Sequence, residues 1–131
     1  MFKLAIPLLH VSNSAAAEDF YCNSLGFRKE FAHRGAESRS DPCYLGLSRD
    51  SVWLHLSSFS GDGVAGGVAN ILVEDVDALH KELVAKRVSI AVSPVDQTWG
   101  TREMYVRDAD DNCLRFIAER KAAGRARRRQ I

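Results

Sequence analysis

His10, His55 and the carboxylates Glu30 and Glu103 are the groups of this chain best suited to chemistry. Imidazole nitrogens and carboxylate oxygens are Lewis bases, able to hold a divalent ion or to pass a proton near neutral pH. The sequence favours a plainer reading, with His10 at a strand end and His55 a polar lining group. His33 and His80 fall on a strand edge and an exposed helix face and take no role. Cys43 follows a proline in a loop with no histidine to activate it, so it is not read as a nucleophile. No GxSxG, HExxH, P-loop or dinucleotide fingerprint occurs. The glycine-rich run at 61–67 is not followed by the strand-to-helix turn that a phosphate cradle requires.

Binding is better served than catalysis. Trp53, Trp99 and Phe31 supply aromatic faces, and Glu30, His55, Asn70, Arg102 and Arg115 supply polar groups. Aromatic faces stack on planar rings and attract cations, each contact contributing about 0.5–2 kcal/mol. This mixture suits a flat, partly cationic, heteroaromatic ligand.

The elements that position these residues follow from periodicity. An apolar run over 4–11 reads as a strand, and Pro7, which lacks a ladder donor, makes it an edge strand or a hinge. Ser12, Asn13 and Ser14 can cap a helix over 15–24, with Ala16, Ala17, Phe20, Tyr21 and Leu25 on one face. Gly26 stops it. Strands follow at 27–33, 44–47 and 52–56, so the first half reads βαβββ. Residues 57–67, rich in Ser and Gly, form a linker. A strand at 69–73, a helix over 76–86 capped by Asp75, and strands near 89–92, 102–107 and 113–118 make a second βαβββ unit. Strand parity turns Leu8, Trp53, His55, Asn70, Arg115 and Ile117 to one side, roofed by Trp99 and Arg102.

The two halves repeat at an offset of 62 residues. Val11-Ser12-Asn13 falls on Val73-Glu74-Asp75, and residues 52–56 fall on 114–118. Neither half is large enough for a core of its own, so the two must bury apolar faces together and leave a shared cleft. The expected fold is α+β, two βαβββ repeats over 4–57 and 68–119 within one domain spanning 1–120.

Several motifs sit on this frame: Ala17-Glu18-Asp19-Phe20-Tyr21 with Leu25-Gly26-Phe27, Val73-Glu74-Asp75-Val76-Asp77, Trp99-Gly100-Thr101-Arg102-Glu103, and the run from Arg107 to Phe116. On them the chain resembles the vicinal oxygen chelate superfamily of glyoxalases, extradiol dioxygenases, fosfomycin-resistance enzymes and bleomycin-resistance proteins, and within it the bleomycin-resistance branch. The resemblance covers 4–119. It implies curved half-barrel modules around a cleft, and a homodimer with clefts at the subunit interface and N-terminal strands that can be exchanged. It also implies four metal-ligand positions, which fall here on Ile6, Trp53, Val68 and Arg115. None can donate to a metal, so no metal and no cofactor are expected.

Composition sets the remaining bounds. A hydrophobic fraction of 46% and a charged fraction of 27% are ordinary for a globular protein, and the net charge is +1. The basic residues gather at the end, where 121–131 read as a disordered tail. The body carries no nucleic-acid-binding face. Three cysteines without a CxxC pair favour a reducing cytoplasm over a disulfide framework, and no segment is built to span a membrane.

The sequence therefore points to a metal-free binding protein of the bleomycin-resistance type, sequestering an aromatic or glycopeptide antibiotic-like ligand. Its binding residues would be Glu30, Phe31, Trp53, His55, Asn70, Trp99, Arg102 and Arg115, with no catalytic residue. The alternatives are a metal-dependent lyase, isomerase or dioxygenase with displaced ligands, and a cofactorless enzyme using His55 or Glu103 as acid or base.

Overall fold

The computed structural model of the protein describes residues 1–36 and 39–120. The expected disordered tail at 121–131 lies outside the described residues. Among the described residues, eight strands form two four-stranded sheets. Strands β1 (Leu8–His10), β2 (Arg28–Arg34), β3 (Cys43–Arg49) and β4 (Val52–Ser57) make the first, in the order β1-β4-β3-β2. Strands β5 (Val68–Leu72), β6 (Val92–Asp96), β7 (Thr101–Arg107) and β8 (Cys113–Glu119) make the second, in the order β5-β8-β7-β6. Each sheet follows one βαβββ repeat, and the fold is α+β.

The helices begin where short polar side chains can cap them. Asn13 accepts from the Ala16 amide ahead of α1 (Ser14–Glu18), and Asp75 accepts from the Ala78 amide ahead of α2 (Val76–Ala85). Past Glu18 the first helix widens into a π-helical turn, Asp19–Ser24, and the Leu25 amide reaches back to the Phe20 carbonyl. Ala17, Tyr21 and Leu25 are buried, but Ala16 is exposed, so the buried stripe is narrower than the spacing suggested.

Two strand boundaries differ from expectation. The first strand starts at Leu8 rather than residue 4. Pro7 still accepts a hydrogen bond from the His55 amide, but the chain before it pairs with no strand among the described residues, and Phe2 and Leu4 are exposed. The strand expected near 89–92 is displaced to β6, with Pro94 inside it. That position is tolerated because β6 is an edge strand whose pairing to β7 shifts between Val92 and Val95.

The described residues form two compact units: one holds Met1–Ala69 with Asp108–Cys113, and the other holds Asn70–Arg107 with residues 114–120. The core of the first holds Tyr21, Leu45, Leu47, Leu54 and Leu56, all fully buried; the second buries Leu83, Met104, Val106 and Leu114. The Asp108–Asn112 turn is anchored in the first unit. The Tyr21 hydroxyl donates to Asp108 at 2.7 Å, the Asn112 amide donates to the His10 carbonyl at 2.8 Å, and the Gly67 amide donates to Asn112 at 2.9 Å. The stretch read as a linker is also held, since Ser57 donates to the Asp62 carboxylate.

Candidate functional site

In the first unit, alternation gives each strand a core side and an open side. Leu45 and Leu47 on β3, and Leu54 and Leu56 on β4, point to the core, so Tyr44, Gly46 and Ser48 share the other face with Trp53 and His55. Register sets Gly46 opposite both Phe31 and His55, and sets Ser48 opposite Trp53. The Phe31 ring lies over Gly46, where a Cβ would collide with it. The same ring is parallel to Tyr44 at 6.2 Å and meets His55 edge-on at 5.5 Å. Tyr44 and His55 pack at 5.2 Å, with the phenol oxygen 2.8 Å from the imidazole Nδ1.

This trio is uncharged at neutral pH. Burial pushes the Tyr44 hydroxyl above its ordinary range, assisted by the Asp62 charge, and burial holds His55 below the usual imidazole range. With the imidazole proton on Nε2, Tyr44 donates to Nδ1. Nearby on β2, Glu30 accepts from the Ser48 hydroxyl at 2.6 Å and from Arg28 at 2.7 Å. These bonds, Ser48 first, hold its carboxyl below the ordinary range, so Glu30 is a fixed anion.

The second unit carries a polar counterpart. Met104 and Val106 turn to the core, which leaves Thr101, Glu103 and Tyr105 on the opposite face of β7. Glu103 is buried and accepts from Thr101 at 2.7 Å, Tyr105 at 2.9 Å and the Trp99 indole at 3.2 Å. Burial raises its carboxyl, but those three donors and the Arg115 cation outweigh it and hold the group below the ordinary glutamate range. Trp99 is 61% exposed in the β6–β7 turn, next to Gly100 at φ +100°, a conformation suited to glycine. Arg115 on β8 places its guanidinium 5.1 Å from the Tyr105 ring centre.

A metal does not fit this donor set. The positions the family resemblance indicates are Ile6, Trp53, Val68 and Arg115, three side chains without a Lewis base and one cation. Among the described residues, no three His, Cys, Asp or Glu side chains come together to hold an ion. His10 donates from Nδ1 to the Asp62 carbonyl at 2.9 Å, and His55 is engaged by Tyr44.

The structure brings Phe31 against His55 and sets Glu30 beside them through Ser48; Trp53 shares that face. Trp99 and Arg115 flank Glu103 in the other unit, and Asn70 is exposed on the open face of β5 between buried Ala69 and Ile71. Arg102 lies on the helix side of β7, bound to Asp77 at 3.0 Å and Asp96 at 3.0 Å, because it alternates with Glu103 along the strand. Tyr44, Tyr105 and Thr101 stand beside these residues without having been singled out by sequence. Tyr105 and Thr101 lie two positions from Glu103, so strand parity held their signal, while Tyr44 is brought in by the β3 register.

No helix among the described residues is long and apolar enough to cross a membrane. A family profile described as "Glyoxalase superfamily protein" matches residues 1–124. No curated protein matches the chain significantly. Among solved structures, the chain is 31% identical to a bleomycin-binding protein from bleomycin-producing Streptomyces verticillus, crystallised with copper(II)-bleomycin. That match has a TM-score of 0.67 and covers 90% of this chain and 97% of that one. A glyoxalase/bleomycin resistance protein/dioxygenase superfamily member from Sphaerobacter thermophilus is 25% identical, with a TM-score of 0.73 and coverage of 91% and 98%. The antibiotic binding protein TnmS3 from Streptomyces sp. CB03234 shares the fold at 21% identity, with a TM-score of 0.73 and coverage of 91% and 97%. The chain belongs to the glyoxalase, or vicinal oxygen chelate, superfamily, in its bleomycin-resistance-like branch.

Proposed function

We propose that the protein binds a planar aromatic, antibiotic-like small molecule and holds it without turnover. The observation that carries this reading is Trp99, a large exposed indole oriented by its hydrogen bond to buried Glu103. An exposed aromatic with fixed orientation is a stacking surface formed before the ligand arrives, which limits the ordering cost of binding. The neutral Phe31, Tyr44 and His55 cluster of the first unit is a separate aromatic surface, confined to that unit. The 31% identical bleomycin-binding protein supports an antibiotic as the ligand class. A homodimer belongs to the same proposal: Phe31, Val68, Leu72, Val92 and Val95 are exposed strand residues that a second copy would cover.

Bleomycin and a panel of fused-ring aromatic compounds provide the test. Saturable quenching of indole fluorescence with a rise in melting temperature is expected from at least one class. If none moves either signal, the reading is wrong.

One observation favours a second reading. The Tyr44–His55 pair is a neutral hydroxyl–imidazole contact beside an aromatic face, the parts of a cofactorless acid–base site. Conversion of a bound aromatic compound, followed by chromatography and abolished by His55→Phe, would favour that reading over simple sequestration.

A further inference from the structure

Among the described residues, Arg115 Nε is the one buried side-chain nitrogen or oxygen without a hydrogen-bond partner. Native folds rarely leave such a group unsatisfied without a reason. The neighbouring carboxylate does not bond it: Glu103 Oε2 takes Trp99 and Thr101, and Oε1 takes Tyr105. Arg102, from the neighbouring strand, shows what a structural arginine looks like here, clasped by two carboxylates. Arg115 has no such clasp; it rests over the Tyr105 ring, which orients a guanidinium without using its N–H groups.

We infer that Arg115 docks an oxyanion, a carboxylate or its equivalent, on the aromatic ligand whose ring stacks at Trp99. This rests on the aromatic-binding reading above and narrows it to aromatic acids. A guanidinium presents parallel N–H donors that match the two oxygens of a carboxylate. The ionised Glu103 offsets the Arg115 charge on this face, so a bare anion gains little by approaching. Recognition needs the directed N–H···O bonds and the stacked ring together.

The experiment compares 2-naphthoate, its neutral analogue 2-naphthamide, and acetate by calorimetry. The Arg115 Nε–H resonance is followed by NMR in the same titrations. The wild-type chain is expected to bind 2-naphthoate about ten-fold more tightly than 2-naphthamide and to ignore acetate. Only 2-naphthoate should shift the Nε–H signal strongly. Arg115→Met should bring the two naphthyl compounds to similar affinity, while Trp99→Ala should weaken both alike. The NMR measurement needs no variant, so it stands if Arg115→Met fails to fold. Equal wild-type affinity for the acid and the amide, an acid preference that survives Arg115→Met, or an Nε–H signal unmoved by 2-naphthoate would overturn the inference while leaving aromatic binding intact. If neither naphthyl compound binds, the aromatic-binding reading fails and this one with it.

Discussion

The ring of Phe31 lies on the backbone of Gly46, in the space that any other residue's Cβ would fill. That overlap joins β2 to β3 and fixes the ring's distance from Tyr44 and His55. Gly46→Ala should therefore push Phe31 off its seat, with a loss of about 1–3 kcal/mol in unfolding free energy. Chemical denaturation would measure it. Unchanged stability would show that the ring shifts freely.

Trp99→Ala should leave the melting temperature nearly unchanged, because the indole is mostly exposed, and should weaken aromatic-ligand binding by about 1–3 kcal/mol. Calorimetry against the tightest compound of the panel distinguishes this from a purely structural role, in which stability would fall and affinity would not.

Asn112→Ala removes a buried amide that donates to the His10 carbonyl and to Asp108 and accepts from the Gly67 amide. Leaving buried backbone groups unpaired should cost about 2–4 kcal/mol. Tyr21→Phe, which loses one bond to Asp108, should cost about 1–2 kcal/mol. A smaller effect for Asn112→Ala than for Tyr21→Phe would contradict the hydrogen-bond count.

His55 gives a pH signature. Its folded pKa lies below the ordinary value of 6.5, so the unfolded chain takes up its proton first as pH falls. Stability attributable to this residue is therefore complete above 6.5 and declines as pH falls from there through the folded value. Melting temperatures of wild type and His55→Phe between pH 7.5 and about 5 should show a shallower decline in the variant. Parallel curves would mean that His55 is not desolvated.

Local signals read well from sequence. Asn13 and Asp75 announced their helices because capping is a contact between residues three apart. Parity placed Trp53 and His55 on the face away from buried Leu54 and Leu56 because a strand alternates wherever one face is buried. What failed depends on partners distant in sequence. The stretch before Pro7 is apolar enough for a strand but finds no neighbouring ladder to extend. The ion pair of Arg102 with Asp77, 25 residues away, was likewise not legible from spacing. The aromatic trio was half legible: Phe31 and His55 stood out by type, while Tyr44 joins them only through the β3 register.

The turn from Asp108 to Asn112 bears on the order in which the chain can mature. Its contacts to Tyr21 and His10 bridge 87 and 102 positions, so they close only after most of the second repeat has been synthesised. Until then the Tyr21 hydroxyl and the His10 carbonyl of the amino-terminal repeat wait for their partners. For the same reason, a gene cut between the repeats would yield an amino-terminal fragment lacking its own closing turn. The two βαβββ repeats look alike in order, yet the first depends on a loop encoded in the second, which favours keeping them on one polypeptide.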